Sequence, residues 1–391
     1  MNTLIELYDE RPIENVLGVD VFKPQRVVYL CPQEVAQSKE RQQEIKDYFK
    51  FRGNDVEIIF LESSMYYTSK VKNQLEKVVE KYPDCAIDIT GGTDAVLFAA
   101  GMLCAQSDIP AFTYSRTKNR FFNISNAPFA DNLRCDSIYT LDDFFKMAGG
   151  SAAKGRVDNS LLLEYEQYID GFYTIYMKYR KDWVKITKWF CNVSNSDKNG
   201  RHSLHIKAKY NVKGERGSSI AANEKLLKDV EKLGFIKDLK IVSGSSVEFT
   251  FLDEQVRFWL RDTGSVLELY VWKCCRDAGI FSDVRCSTII DWKDSEKSDK
   301  VSNEIDVIAL KGLVPVFISC KTCAADTDAL NELTIIRDRF GGKCAEAVIV
   351  TAETCRNITR HRASELNITV IDLEDLKKGA LTARLTATAS K

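Results

Sequence analysis

The chain has 391 residues, 45% hydrophobic and 28% charged, with 55 Lys+Arg against 56 Asp+Glu. That length exceeds what one hydrophobic core usually serves and predicts two or three domains. A formal net charge of −1 excludes a globally basic nucleic-acid binder, though not a local basic groove. No run of eighteen apolar residues is present, and the opening MNTLIELYDERP lacks a basic-then-apolar pattern. Neither a membrane span nor a signal peptide is expected, and a cytoplasmic setting is.

The first expected strand is RVVYLC, residues 26–31, a short apolar run ending at Pro32. A helix with apolar Ile45 and Phe49 follows in SKERQQEIKDYFKFRG, stopped by Gly53. DVEIIFLE (55–62) reads as a strand, VKNQLEKVVEKY (71–82) as a helix and CAIDIT (85–90) as a third strand. Gly91 and Gly92 then lead into a helix, DAVLFAAGMLCAQ. IPAFTYSR (109–116) and RFFNIS (120–125) complete the set as strands. This alternation predicts a parallel, doubly wound sheet over roughly residues 1–150, with ligands beyond the carboxyl ends of the strands. Two loops matter most there: Cys31-Pro32-Gln33-Glu34, and Thr90-Gly91-Gly92-Thr93-Asp94. In the second, paired glycines allow close approach to backbone, and Thr93 or Asp94 can cap the next helix. Free N–H groups at that helix start favour an anion such as phosphate. A structural GG turn would look the same, and the stretch is neither a Walker loop nor a GxGxxG fingerprint.

FKMAGGSAAKGR (145–156) reads as a linker. Helical spacing over 157–180, a helix at NEKLLKDVEKLGFI (223–236) and a hairpin at LKIVSGSSVEFTF (239–251) suggest a winged-helix-like module over 157–258. Basic residues are dense from 179 to 216, as a solvated face or as part of a nucleic-acid path. His202 and His205 form an HxxH that reads as a surface turn. The twelve cysteines, including adjacent Cys274 and Cys275, read mainly as small buried apolar residues in a reducing setting. Cys320 and Cys323 make a CxxC with no second pair to complete a zinc site.

The third unit, 259–391, carries the clearest chemistry. GSVLELYVWKCCRDAG is an amphipathic helix, FSDVRCSTIIDW a strand, and DSEKSDKVS a charged turn. The hairpin NEIDVIALKGLVPVFISCKT (303–322) follows, then helix, strand, helix, strand and helix to the end. Glu304 and Asp306 alternate on one strand and point to one face. Lys321 ends the next strand, and Glu268 lies on the preceding helix. Carboxylates and a carbonyl suit Mg²⁺ or Mn²⁺, and a nearby lysine can orient water and stabilise developing charge during phosphodiester hydrolysis. A plain Asp306–Lys321 salt bridge would equally answer the cost of a buried charge, and Glu268 would equally face the helix surface.

Together these segments resemble a known family. Residues 264–350 resemble the PD-(D/E)xK, restriction-endonuclease-like fold. ERPIENVLGVDVFKPQRVVYLCP with ITGGTDAVLFAAG resembles a CARF domain, the cyclic-oligoadenylate sensor of type III CRISPR defence. One family joins these two ends. The resemblance implies an α/β chain with an N-terminal Rossmann-like sensor, a small α+β middle and a C-terminal nuclease domain. It implies a homodimer that binds cyclic tetra-adenylate across its sensors and then cleaves single-stranded DNA or RNA with Mn²⁺ or Mg²⁺. It assigns ligand binding to Cys31, Pro32, Gln33, Thr90, Gly91, Gly92, Thr93 and Asp94, with Arg116 and Lys118 as phosphate contacts. It assigns metal binding to Glu268, Asp306 and the Cys320 carbonyl, and catalysis to Glu268, Asp306, Ser319 and Lys321. The sequence departs from the pattern at Ser319, where the fold usually has Glu or Asp. A hydroxyl is the poorer cation ligand, so metal affinity should fall unless another group such as Glu304 compensates. A ligand-responsive DNA-binding regulator with a degenerate nuclease domain is the alternative reading. An enzyme that cleaves its own cyclic ligand is a third.

Overall fold

The computed structural model describes residues 1–10, 12–147, 150–194, 203–214, 218–292, 303–341 and 344–389. Its first strand, β1 (Thr3–Leu7), lies ahead of the first one expected from the sequence. It runs parallel between β2 (Arg26–Cys31) and β4 (Cys85–Asp88), with β3 (Glu57–Glu62) outside β2 and β5 (Ala111–Ser115) outside β4. A sixth strand, β6 (Arg120–Ser125), pairs antiparallel with β5 and makes the sheet mixed rather than wholly parallel. The order is β3-β2-β1-β4-β5-β6, so the order in which the parallel strands are added reverses between β1 and β4. The loops after those two strands therefore flank the crevice where such sheets hold ligands.

The expected linker is partly a strand. β7 (Gly150–Lys154) pairs antiparallel with β13 (Asp283–Trp292), so it forms the edge of the C-terminal sheet. Gly155 continues it so close to Ser287 that an added Cβ would collide with the Ser287 carbonyl. Small residues were needed there for close approach, not for flexibility.

Between the two large sheets in chain order, but packed on the face of the C-terminal sheet away from the N-terminal one, lie the helices Leu162–Tyr179, Trp183–Val193 and Glu224–Lys232. They pack on a three-stranded antiparallel sheet of β8 (His205–Lys209), β11 (Ile236–Val242) and β12 (Ser246–Phe251), ordered β11-β12-β8. β9 (Asn211–Lys213) and β10 (Ser219–Ala221) form a separate two-stranded ribbon. This is the winged-helix-like arrangement expected. His205 lies on β8, its Nδ1 3.1 Å from Thr250 Oγ1, rather than in a turn. His202 and the whole DSEKSDKVS stretch lie outside the described residues.

In the C-terminal sheet, β14 (Asn303–Lys311) pairs antiparallel with β13 and with β15 (Val314–Lys321). β16 (Glu346–Thr351) and β17 (Ile368–Ile371) then continue parallel to β15. The β14–β15 turn uses Gly312 at φ +60°, as a tight hairpin requires. A common core joins the middle module to one face of this sheet through Phe172, Trp183, Trp259, Trp272, Val307 and Ile318. The other face shares apolar contacts with the N-terminal sheet through Tyr29, Phe112, Phe144, Ile308 and Phe317. All twelve cysteines are free and nine are buried, as small apolar residues would be. Among the described residues no helix is long and apolar enough to cross a membrane.

Candidate active site

Asp306 sits where β14 loses its neighbours. On the β13 side the pairs Cys286↔Val307 and Thr288↔Ile305 bracket it, and Ser287 between them adopts φ +49°. On the β15 side the ladder stops at Val307↔Ile318. The strands open at this point, and the Asp306 carboxylate takes over a backbone partner: Cys320 N–H donates to Oδ2 at 2.7 Å. Ser319 Oγ donates to the same oxygen at a longer 3.3 Å. Ser319 therefore orients Asp306 rather than facing away from it.

Glu268 reaches the same place from the first turn of the helix Ser265–Asp277. Asp262 anchors that helix start by accepting from Gly264 N (3.0 Å), Ser265 N (2.7 Å) and Ser265 Oγ (2.8 Å). The Glu268 carboxyl receives no hydrogen bond from a described residue. Burial chiefly, then the charges of Asp306, Asp262 and Glu304, push its pKa up to about 8, against the pull of Arg156. Burial also raises Asp306, opposed by the Cys320 N–H, Lys321 and Ser319. Burial raises both carboxyl groups and the Asp306 charge adds to the rise at Glu268, an arrangement that a cation would relieve. Lys321 lies close enough to influence Asp306, yet no described carboxylate pairs with it within 4 Å, so the plain salt bridge is absent.

Glu304 has another commitment. Arg156, just beyond β7, donates through Nε (3.1 Å) and Nη2 (2.7 Å), and Ser287 Oγ adds a bond of 2.7 Å. Arg156 also lies 3.8 Å from Asp262. Glu304 is therefore held as an ion-pair partner, not free to replace the missing carboxylate. Sequence reasoning missed Arg156 because it is about 150 positions from Glu304 and no local pattern links them. It missed Glu332 because that residue is one exposed acid on a helix, although it lines the cleft shared by Asp306, Ser319 and Lys321. As they stand, the described residues contain no group of three or more His, Cys, Asp or Glu close enough to hold an ion. The donor chemistry nonetheless fits a hard cation: Glu268 and Asp306 carboxylates, with the Cys320 carbonyl as a neighbouring oxygen.

At the N-terminal crevice, Gly91 has no room for a side chain, since a Cβ would lie 2.9 Å from Asp9 Cβ and 3.0 Å from Leu7 O. Gly92 adopts φ +104°. The loop is braced: Thr90 N donates to Asp88 Oδ1 at 2.8 Å, Gly92 N to Asp9 Oδ2 at 3.0 Å, and Thr93 Oγ1 to Met65 O at 2.9 Å. The expected cap is absent, for neither Thr93 nor Asp94 caps the helix Asp94–Ser107 with its side chain. Cys31 is buried, its thiol pushed up to about 12 by desolvation and then by Glu62 and set 3.5 Å from Leu61 O, while Gln33 and Glu34 beyond Pro32 are exposed. Arg116 is neutralised by Glu14 in a buried pair of 2.7 Å, beside Gly91 rather than open to phosphate. Lys118 lies on the β5–β6 turn with its amine 5.5 Å from the Phe122 ring. Sequence reasoning missed Tyr8 and Asp9, because β1 itself was missed.

Comparisons with known proteins give these sites a context. Residues 253–386 match the family model of the Card1-like endonuclease domain. Protein VC1899 from Vibrio cholerae superposes with a TM-score of 0.74 at 17% identity, over 98% of this chain and 97% of that one. Can2 from Sulfobacillus thermosulfidooxidans, solved in complex with cyclic tetra-adenylate, superposes with a TM-score of 0.72 at 18% identity, over 100% and 98%. A search of curated protein sequences finds no match. Residues 253–386 thus match a Card1-like endonuclease domain, and the chain as a whole shares the fold of VC1899 and Can2.

Proposed function

We propose that the protein is a metal-dependent endonuclease, activated by a cyclic oligoadenylate and acting on single-stranded DNA or RNA in type III CRISPR defence. The observation that carries this reading is the opened β14 strand. It sets Asp306 against a second buried carboxyl, Glu268, with unpaired Lys321 beside them, inside a segment matching an endonuclease family. The activator assignment rests on the fold shared with Can2, the crevice between β1 and β4, and the tight glycines at 91 and 92. Cyclic tetra-adenylate is the ring we favour.

When bound, Mn²⁺ or Mg²⁺ would polarise the scissile phosphate and acidify a water. Glu268 and Asp306 would hold it, with the Cys320 carbonyl assisting. The Cys320 N–H and Ser319 hydroxyl fix the Asp306 rotamer, so that the carboxylate is oriented before substrate arrives. Lys321 would steer the attacking water and stabilise charge on the phosphate. Arg156 keeps Glu304 in an ion pair and adds positive charge at the rim.

A homodimer fits the sensor surface. The helix Asp94–Ser107 exposes Phe98 (65%) and Met102 (38%) on one face, and Tyr66 is exposed as well (84%). Such an apolar face on a soluble unit calls for a partner, and the resemblance supplies a second copy. Domain limits of 1–150, 157–258 and 259–391 remain our division of labour, with the edge strand at 150–154 tying sensor to nuclease.

The test compares wild type with Asp306→Asn. Ligand-dependent cutting that is lost in the variant, with activator binding retained by calorimetry, supports the proposal. Equal behaviour of the two proteins would favour the regulator reading.

A further inference from the structure

We infer that Glu332 supplies the third acidic metal ligand, taking the place that Ser319 leaves without a carboxylate. The inference rests on the nuclease reading above and assigns a residue to the same site.

The argument begins with what the site lacks. Asp306 and Glu268 are two carboxyl groups, and a divalent cation in such a site is better held by a third charged oxygen donor. Position 319 has a hydroxyl that is already used to donate to Asp306. Glu304, the other acid on the same face of β14, is held by Arg156 and Ser287. Neither is available.

The helix Thr327–Phe340 brings another candidate. Ala329, Leu333 and Ile336 are buried against the C-terminal sheet, which fixes the rotation of the helix. Glu332, three residues after Ala329 and one before Leu333, lies at the rim of that buried stripe. It lines one cleft with Asp306, Ser319 and Lys321, over a floor of Ala329, Leu333 and Ile336. The side chain is exposed, and no described residue pairs with it. Its rotamers are therefore free, unlike those of Glu304. Asp326 caps the helix by accepting from Ala329 N at 2.9 Å, so the scaffold carrying Glu332 is anchored at its start. Among the described residues no three acids stand within coordinating reach, so Glu332 must swing inward as the ion enters. A long exposed carboxylate can do so at the cost of side-chain entropy alone.

The experiment measures Mn²⁺ binding by calorimetry and electron paramagnetic resonance, alongside cleavage of labelled single strands with cyclic tetra-adenylate. The proteins are wild type, Asp306→Asn, Glu332→Gln and Glu332→Gln combined with Ser319→Glu. Loss of outer partners of metal ligands already weakens affinity by about 10–100-fold, so losing a direct ligand should cost at least about tenfold. We expect Glu332→Gln to lose that much Mn²⁺ affinity with an unchanged melting temperature. We expect Ser319→Glu in the same chain to restore it, because a carboxylate returns beside Asp306. If Glu332→Gln binds Mn²⁺ like wild type while Asp306→Asn does not, the inference is overturned and the nuclease reading stands. If wild type neither binds Mn²⁺ nor cuts, the nuclease reading falls and this assignment falls with it.

Discussion

Asp88 and Glu6 make a buried acid pair beneath the sensor crevice, and replacing Asp88 with Asn should change how stability depends on pH. The two residues are direct neighbours across β1 and β4, both about 1% exposed. Gly18 lies over them, and a methyl group there would meet Glu6 Oε1 at 2.8 Å and collide with Asp88 Oδ2. Burial raises Glu6 well above its ordinary value, with Asp88 adding to it, and Glu6 Oε1 has no hydrogen-bond partner. Burial also raises Asp88 to about 7, against the Thr90 hydrogen bonds that favour its charge. A folded pKa above the unfolded one means the fold prefers the protonated acid. That contribution is complete below pH 4 and is lost as pH rises through about 7. Between about pH 4 and 7 folding takes up one proton at this acid, which costs roughly 1.4 kcal/mol of stability per pH unit. Asn keeps an oxygen for Thr90 N and carries no charge, so the variant should gain about 1 kcal/mol or more over wild type at pH 8 and little at pH 5. Hydrogen exchange of peptides covering 3–7 and 85–94 reads this locally; the five tryptophans all lie beyond residue 180 and would report other modules. Equal protection of wild type and variant at pH 8, after correction for intrinsic exchange, would refute the reasoning.

Further outcomes follow from particular contacts. Gly92→Ala forces a side chain to φ +104° and should destabilise the loop by about 1–3 kcal/mol, raising the activator concentration needed for half-maximal cutting. Gly155→Ala should lower the melting temperature, because its Cβ collides with the Ser287 carbonyl and the β7 edge must detach or shift; an unchanged melting curve would show that this edge is not integral. Phe98→Asp should leave the monomer folded and shift sedimentation from dimer to monomer, since Phe98 is 65% exposed.

Much of the architecture could be read from residue patterns, and the gaps have physical causes. Strands such as RVVYLC and AEAVIVTA are unbroken apolar runs because helices or sheets cover both faces. β1, TLIEL, evaded the same reading because Thr3 and Glu6 interrupt it, although both are buried at 2% and 1%. β7, GSAAK, looked like a linker because the approach to Ser287 demands small residues. Asp306 and Lys321 were visible because a charge at the end of an apolar strand is costly without a purpose. Glu332 and Arg156 were not, since an acid on a helix surface and an arginine in a Gly-Ala stretch have no local signature. The pairing of Arg116 was hidden for a related reason: its buried partner Glu14 is 102 positions away.

The measurement that bears most directly on the central claim is cleavage of labelled single-stranded DNA and RNA with Mn²⁺, with and without cyclic tetra-adenylate, and with EDTA as control. The account predicts cutting only when ligand and metal are both present. Ligand that binds tightly while no strand is cut, at any Mn²⁺ concentration, would contradict it.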